Sequence, residues 1–230
     1  EVPDIATAGD MLAMVEDDYY PVECSDQAFF LNAGIVFDAN EVQEHIEEHA
    51  VPHSAALLAR VRETQSPYFT GALARVNASW QNLGQNAKVA AAKAGLRPPE
   101  ANPFMNNVAQ AVEIVDALDR CADLCRKLAE PGAIASSSLP VPFEVKAGRA
   151  VGFTEAPRGA LFHDLTLDAE GRVTHASILT PTAQNVANLE ADMRLLAEKL
   201  VADGAAEDVV RLEIEKLVRA YDPCLSCSVH

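Results

Sequence analysis

The sequence predicts a mainly α-helical chain with one small β-hairpin near the C-terminus. Apolar residues recur at helical spacing in most segments between residues 38 and 130, and again between 185 and 220. Strand-like segments are confined to residues 160–179, on either side of a turn. Hydrophobic residues make up 49% of the 230 residues, so the chain is expected to bury a substantial core.

In the first half of the chain, the predicted elements are helices separated by proline and glycine. Residues 1–35 are expected to be irregular. Helical spacing starts at Asp38, and Pro52 is expected to end or kink that helix. Further helices are predicted over residues 54–64, 80–95 and 104–130, the last of them ended by Pro131-Gly132.

The last third of the chain changes in character. Residues 133–150 are rich in Ser, Pro and Gly, and they are the best candidate for an internal boundary in a chain otherwise expected to form a single domain, residues 1–230. Four further elements are predicted: strands at 160–167 and 172–179, around a turn at 168–171, and helices at about 185–203 and 206–220.

The chain is strongly acidic. It has 18 Lys and Arg against 34 Asp and Glu, which gives a net charge of −16. This charge argues against nucleic acid and anionic membranes as partners. No run approaches the roughly 18 apolar residues of a membrane span. No signal peptide is visible either, so a cytoplasmic location is expected. The first residue, Glu1, is not Met, which indicates a chain that was processed, trimmed or begun at an internal point.

Two of the five cysteines form a C-x-x-C motif near the last residue: Cys224, Cys227 and then His230. Two soft thiolates and an imidazole at this spacing can bind zinc, carry thioredoxin-like redox chemistry or hold another transition metal. A structural zinc site needs four ligands, and this end of the chain supplies at most three side chains. Pro223 fixes the backbone just before the first cysteine.

The other three cysteines are expected to be small core residues. Cys121 and Cys125 lie at i and i+4 on the longest predicted helix, a spacing that could hold one metal ion. Cys125, however, lies on the apolar stripe of that helix, and a buried free cysteine commonly acts as a small hydrophobe. We therefore expect this pair, and the lone Cys24, to pack in the core.

A further segment presents a fixed cation. Arg158 lies between Pro157 and Gly159 at the mouth of a predicted strand. A guanidinium held there suits an anion or a polar metal-bound diatomic, because it is always charged and offers five donors in a rigid fork. The alternative is an exposed turn in which Arg158 forms a surface ion pair with Glu155.

The segment that starts at Pro181 is where the second predicted strand gives way to a helix. Thr182 or Asn185 is expected to cap this helix through its side-chain oxygen. The free N–H groups at the helix N-terminus also suit an anionic ligand.

Three motifs occur in order: E-A-P-R-G at 155–159, P-T-x-x-N at 181–185 and D-P-C-x-x-C-x-x-H at 222–230. Together they resemble the C-terminal motifs of the large, catalytic subunit of nickel–iron hydrogenases. Residues 71–77 resemble the G-x-L-A-R-x-N segment in the middle of such subunits. The resemblance covers about residues 35–230, is strongest after 150, and implies the long-helix bundle of the hydrogenase large subunit. The D-P-C-L-S-C wording is most similar to the cytoplasmic branch, which serves soluble carriers such as NAD, deazaflavin or viologen-type acceptors.

The resemblance implies a set of metal ligands. Cys224 would be a terminal nickel ligand, and Cys227 would bridge nickel to an iron that carries carbon monoxide and two cyanides. His230 would bind a magnesium (or iron) ion nearby, with the backbone carbonyl of Ile178 as a co-ligand. A chain that stops at this histidine is similar to the mature form, from which a C-terminal peptide has been removed.

The resemblance also implies roles around the open face of the nickel–iron centre. Arg158 would lie there beside Pro157 and Asp222, where its guanidinium could polarise bound hydrogen or help to take its proton. Thr182 would form a hydrogen bond with one cyanide. The implied activity is the reversible heterolytic cleavage of hydrogen, with electrons passed to a small subunit that carries iron–sulfur clusters.

One required element is missing from this sequence. The family also has an N-terminal R-x-C-G-x-C element with the other two nickel cysteines, and no C-x-x-C occurs here before Cys224. We therefore expect a second chain to carry that half of the large subunit, along with diaphorase-type or other electron-transfer partners. The alternative is a structural zinc-binding or assembly module of a larger redox complex. A homologous respiratory-complex subunit that has lost the nickel cysteines is disfavoured, because Cys224 and Cys227 are retained.

Overall fold

The computed structural model describes residues 2–22, 25–130 and 142–229. Within these ranges it combines helices with three β-sheets, so the prediction of a mainly α chain was only partly right. The helices are α1 Val42–His45, α2 Ala72–Ser79, α3 Gln85–Ala94, α4 Asn106–Leu128, α5 Pro181–Ala202 and α6 Glu207–Tyr221. The strands are β1 Asp10–Met14, β2 Gln27–Phe30, β3 Ile35–Asp38, β4 Ile46–Val51, β5 Ser54–Val61, β6 Tyr68–Thr70, β7 Gly148–Ala156, β8 Gly159–Leu167 and β9 Val173–Leu179.

The N-terminal segment, expected to be irregular, contributes to a four-stranded sheet. The strand order is β3-β2-β1-β6, with β1 antiparallel to β2 and parallel to β6. Leu12, Ala13 and Met14 of β1 are all fully buried. A strand buried on both faces reads as a short apolar run without alternation, which is why periodicity did not reveal it.

A β-hairpin replaces most of the two helices predicted on either side of Pro52, although the first of them does begin as helix, in a 3-10 turn at Ala39–Glu41 and in α1. Strands β4 and β5 pair antiparallel, and Val51 lies opposite Ser54, so Pro52 and His53 form the turn. The stop at Pro52 was correctly placed, but the elements it separates were wrong. Ala and Leu in β5 favour a helix locally, and tertiary pairing overrides that weak preference.

The later predictions agree better with the structure. The helices near 80–95, 104–130, 185–203 and 206–220 correspond to α3, α4, α5 and α6, and the predicted hairpin corresponds to β8 and β9. A third strand, β7, pairs with β8. The proposed boundary at 133–150 lies partly outside the described residues, and its last residues already belong to β7.

Helix α5 lies at the centre of the molecule and packs on β5, β6, β8 and α6. Every residue from Pro181 to Leu189 is buried, as expected for a helix surrounded by other elements. Both ends of the Gln184 amide are satisfied. The Gln184 side chain donates to the carbonyl of Ala160 at 2.5 Å and accepts the Tyr68 hydroxyl at 3.1 Å. The start of α5 is thereby tied to both β6 and β8.

Helix α4 packs on α2, α3 and α6 along one side only. Its buried positions include Ala109, Val112 and Asp116, and every residue from Cys121 onward is exposed. The expectation that Cys121 and Cys125 pack in the core was therefore wrong. The apolar stripe that suggested it continues past the end of the core. Cys24 lies outside the described residues. None of the helices in the described ranges is long and apolar enough to cross a membrane.

Candidate metal centre

Arg158 lies in a two-residue turn between β7 and β8. Ala156 is opposite Gly159 in the strand register, which leaves Pro157 and Arg158 at the tip. Only glycine suits position 159. Its φ is +131°, and a Cβ there would come within 2.8 Å of Thr70. The turn is thus pressed directly against the end of β6.

The guanidinium of Arg158 is held by Asp222, the first residue of the cysteine motif. Its Nε donates to the Asp222 carbonyl oxygen at 2.6 Å, and a terminal nitrogen donates to the carboxylate at 3.2 Å. Both side chains are partly exposed, at 39% and 44%. The alternative of a surface ion pair between Arg158 and Glu155 was wrong, because Glu155 is buried and points elsewhere.

Glu155 belongs to a buried ionic cluster beneath the turn. Arg75 of α2 donates to Glu155 at 2.9 Å and to both carboxylate oxygens of Glu113 at 2.7 Å. The same guanidinium donates to the carbonyls of Ala156 at 3.0 Å and Pro157 at 3.3 Å. Arg75 therefore fixes the backbone that leads into Arg158. In the sequence, Arg75 was visible only as the arginine of the G-x-L-A-R-x-N segment, which did not indicate its role.

The electrostatics of this cluster follow from its burial. Burial raises the pKa of Glu155, although Arg75 and the N–H of Met14 partly offset the effect. Burial alone would lower the pKa of Arg75, but the carboxylates of Glu113 and Glu155 outweigh it and raise the pKa. Arg75 thus stays charged although its side chain is buried.

The cysteine motif starts where α6 ends. Asp222 adopts a left-handed conformation, with φ of 49°, and turns the chain out of the helix. A short 3-10 turn follows at Leu225–Cys227, in which the Cys227 N–H donates to the Cys224 carbonyl at 2.9 Å. The two cysteine sulfurs are bonded to each other, so both side chains reach one point. The tail is secured to β5, because the carbonyl of the buried Ser228 accepts the Leu57 N–H at 3.2 Å.

Thr182 lies in the first turn of α5 and is buried. Its hydroxyl accepts the backbone N–H of Cys224 at 3.1 Å. Thr182 was expected to cap the helix, but it does not. The cap is Thr180, whose hydroxyl accepts the Ala183 N–H.

Asn185 does not cap the helix either. Its side chain forms two hydrogen bonds with the backbone of Thr70, both at 2.8 Å, and donates to the Arg158 carbonyl at 3.3 Å. The P-T-x-x-N element therefore contacts both other motifs: Thr182 holds the cysteine tail, and Asn185 holds the arginine turn. This double contact brings the three motifs together in space.

The base of the tail is held by a buried network at Tyr221. Its hydroxyl donates to the Asp192 carboxylate at 2.5 Å and accepts from Asn188 at 2.7 Å. Asp192 also accepts the N–H of Ala8 at 2.7 Å, which ties the N-terminal segment to α5. Burial raises the pKa of both Asp192 and Tyr221.

The structure thus joins most of the predicted site residues through direct contacts, namely Arg158 with Asp222 and Thr182 with Cys224 and its partner Cys227. Ile178 lies near the end of β9, opposite His163. His230 lies outside the described residues.

Comparison with solved structures defines the class of fold. An NAD+-reducing [NiFe]-hydrogenase in the hydrogen-reduced state is similar over 98% of this chain and 51% of its own, with a TM-score of 0.77 and 22% identity. A [NiFeSe]-hydrogenase from Dm. baculatum matches over 98% and 52%, with a TM-score of 0.60 and 21% identity. The chain therefore shares its fold with about half of each of these hydrogenase chains.

Sequence comparison gives the family. The family model for nickel-dependent hydrogenases matches residues 62–230, and the chain belongs to this family. The alpha subunit of sulfhydrogenase 1 from Pyrococcus furiosus is 39% identical over 86% of this chain and 44% of its own length. The beta subunit of an NAD-reducing hydrogenase from Cupriavidus necator is 35% identical over 54% of this chain and 25% of its own. The chain spans about half the length of the Pyrococcus furiosus relative and of the NAD+-reducing hydrogenase chain.

Proposed function

We propose that this chain is part of the catalytic subunit of a nickel–iron hydrogenase and supplies two thiolates, Cys224 and Cys227, to the nickel–iron centre. The observation that carries this proposal is the meeting of three motifs at one place. In a chain of the nickel-dependent family, the cysteine tail contacts both Thr182 and Arg158.

The donor set fits such a centre. The side chains of Cys224 and Cys227 reach one point, and reduced thiolates are soft ligands that suit nickel and iron. The family resemblance calls for four cysteines, and this chain contributes two. The other two would come from the half of the large subunit that carries R-x-C-G-x-C. When bound, the centre would supply the heterolytic cleavage of hydrogen, with electrons leaving through iron–sulfur clusters on the small subunit.

The role of Arg158 follows from how it is held. Asp222 engages Nε and one terminal nitrogen, which fixes the plane of the guanidinium beside the cysteine tail. Pro157 restricts the turn from the other side, and its carbonyl is fixed by Arg75. An oriented guanidinium at this place would polarise hydrogen or help to take its proton, with Asp222 holding it in position.

The role of Thr182 follows from its hydroxyl. A hydroxyl has one proton to donate and two lone pairs. One lone pair accepts the Cys224 N–H, so the hydroxyl can still donate its own proton. An anionic ligand such as a cyanide on the iron would receive that hydrogen bond, which orients the centre relative to the cysteine tail.

The remaining assignments extend this proposal. His230 and the Ile178 carbonyl would bind the magnesium (or iron) ion implied by the family resemblance. The enzyme would act in the cytoplasm with the iron–sulfur subunit and diaphorase-type or other electron-transfer partners. The relative named as NAD-reducing supports a soluble carrier. The fold comparison supports assigning residues 1–230 to a single large-subunit domain.

Substitution of the cysteines tests the proposal. Cys224→Ser or Cys227→Ser should abolish nickel binding by the purified enzyme, because a hydroxyl is a poor replacement for a soft thiolate. Metal analysis gives the nickel content per chain. Ser226→Ala changes the same turn without removing a thiol, and it should keep the wild-type nickel content. Unchanged nickel in either cysteine variant would refute the assignment.

A further inference from the structure

The residue that leads into the cysteine motif carries a buried polar group that the proposed chemistry does not use. Tyr221 is the last residue of α6 and is 3% exposed. Its hydroxyl donates to the Asp192 carboxylate and accepts from the Asn188 amide, and both of these residues are fully buried. Removing one member of such a network leaves another buried polar group without its partner, so each member is held firmly in place.

The Tyr221 side chain is held at its ring and at its hydroxyl. Each oxygen of the Asp192 carboxylate has its own partner: one accepts the Ala8 N–H at 2.7 Å, and the other accepts the tyrosine hydroxyl at 2.5 Å. The tyrosine ring packs edge-on against Phe69 of β6, with 5.2 Å between the ring centroids. The end of α6 therefore cannot shift without breaking contacts to β6, to α5 and to the N-terminal segment.

A second contact fixes the residue before Tyr221. The carbonyl of Ala220 is among the last carbonyls of α6, which have no partner within the helix. It accepts the side-chain N–H of Asn106 at 2.7 Å, and Asn106 is 3% exposed. The oxygen of the same amide accepts the Leu73 N–H of α2 at 3.1 Å. The last turn of α6 is therefore attached to α2 as well as to α5.

Asp222 follows directly, in a backbone conformation that needs this support. Its φ of 49° and ψ of 52° are left-handed, which costs free energy for a residue with a side chain. In this conformation its carbonyl and its carboxylate both hold Arg158. We propose that Asp192 and Tyr221 are positioning residues that set the orientation of Arg158. They act through the backbone of Asp222, one peptide bond beyond the tyrosine. This inference rests on the proposed function, in which the oriented guanidinium takes part in hydrogen turnover.

Removal of the tyrosine hydroxyl tests the proposal in the complete enzyme. Tyr221→Phe keeps the ring against Phe69 and loses both hydrogen bonds of the hydroxyl. Nickel content should stay at the wild-type level, and hydrogen turnover should fall by about tenfold, a fraction of what a misplacement of about 1 Å can cost. Asp192→Asn should give the same loss, because one amide oxygen cannot replace two carboxylate oxygens. The control is Leu217→Val. Leu217 is buried in the same helix but has no part in the network, and this variant should have normal turnover.

Combination with Arg158→Lys separates positioning from a purely structural role. Two residues that act through one group have non-additive effects, whereas independent effects on turnover multiply. In the Arg158→Lys background, Tyr221→Phe should therefore lower turnover by less than about twofold. The same fold loss in both backgrounds, wild-type turnover in Tyr221→Phe, or loss of nickel from that variant would overturn the proposal.

Hydrogen–deuterium exchange of the complete enzyme gives a measurement that does not depend on the metal. In Tyr221→Phe, the backbone amides of the peptide that contains Asp222 and Cys224 should exchange about tenfold faster than in the wild type, because the turn loses part of its support. Leu217→Val should leave their exchange unchanged. Unchanged exchange in a nickel-loaded Tyr221→Phe enzyme would contradict the positioning role alone. A wild-type enzyme without nickel, whose tail still exchanges faster in Tyr221→Phe, would contradict the proposed function alone.

Discussion

At the scale of single residues, the site depends on contacts between motifs that are far apart in the chain. Arg158 donates to Asp222, 64 positions away, and Cys224 donates to Thr182, 42 positions away. Each contact joins a residue on a rigid element to the tail. A site built in this way is oriented by the scaffold and not by the tail itself.

Arg158→Lys tests whether the guanidinium acts in the reaction. Lys keeps the charge but loses the planar fork that contacts the carbonyl and carboxylate of Asp222 together. The variant should keep its metals and lose hydrogen turnover by about 100-fold, the order of magnitude for an oriented charged donor. Metal content and hydrogen oxidation would be measured on the same sample. Full activity would remove Arg158 from the mechanism. The control is Arg62→Lys. Arg62 forms an exposed ion pair with Glu47 on the β4–β5 hairpin, and this variant should have normal turnover.

Thr182→Val tests the bridge between α5 and the cysteine tail. Valine has nearly the same shape but cannot accept the Cys224 N–H or donate to a cyanide. Nickel should be retained, and the cyanide bands in the infrared spectrum should shift relative to wild type. Thr182→Ser keeps the hydroxyl and should keep the wild-type bands. Identical spectra for all three proteins would show that the hydroxyl does not contact the centre.

The residues that the sequence identified are those within recognisable motifs. The motifs and their order identified four site residues, and the structure brings them together: Arg158, Thr182, Cys224 and Cys227. Arg75 was visible only as one letter in a resembling segment, because its role depends on Glu113 and Ala156, which come from other elements. The pairing of Glu155 was misjudged for the same reason: its sequence neighbour is Arg158, but its spatial neighbour is Arg75.

At the scale of elements, the long amphipathic helices were predictable and the N-terminal strands were not. Helices α4, α5 and α6 carry their signal within their own sequence. Strands β1 to β6 are short and are stabilised by neighbours that the local sequence does not reveal. The hairpin at β4 and β5 shows the limit most clearly, since an Ala- and Leu-rich segment there pairs as a strand.

The buried ionic cluster of Arg75, Glu113 and Glu155 connects α2 to the β7–β8 turn. Arg75→Met should destabilise the protein by about 3–5 kcal/mol, because Glu155 and Glu113 would lose their buried partner. Chemical denaturation of the purified enzyme measures this loss. Adding Glu155→Gln to that variant should restore part of it, since one uncompensated charge is removed.

The exposed ion pair of Arg62 with Glu47 gives the matched control for that measurement. Arg62→Met should change stability by no more than about 1 kcal/mol. Equal losses for Arg75→Met and Arg62→Met would show that the buried cluster does not hold the turn.

At the scale of the whole molecule, the chain is folded around its own core, and the proposed function assigns to it half of a metal site. The two cysteines are fixed on one side by α5 and the arginine turn. This arrangement fits the proposal that the nickel–iron centre forms between this chain and the rest of the large subunit.

The metal content of the complete enzyme tests the central claim most directly. Purified under reducing, oxygen-free conditions through this chain, the enzyme should contain nickel and this chain in about equal amounts. Its infrared spectrum should show bands from carbon monoxide and cyanide bound to iron. Zinc in place of nickel, with neither set of bands, would contradict the account and favour a structural zinc module.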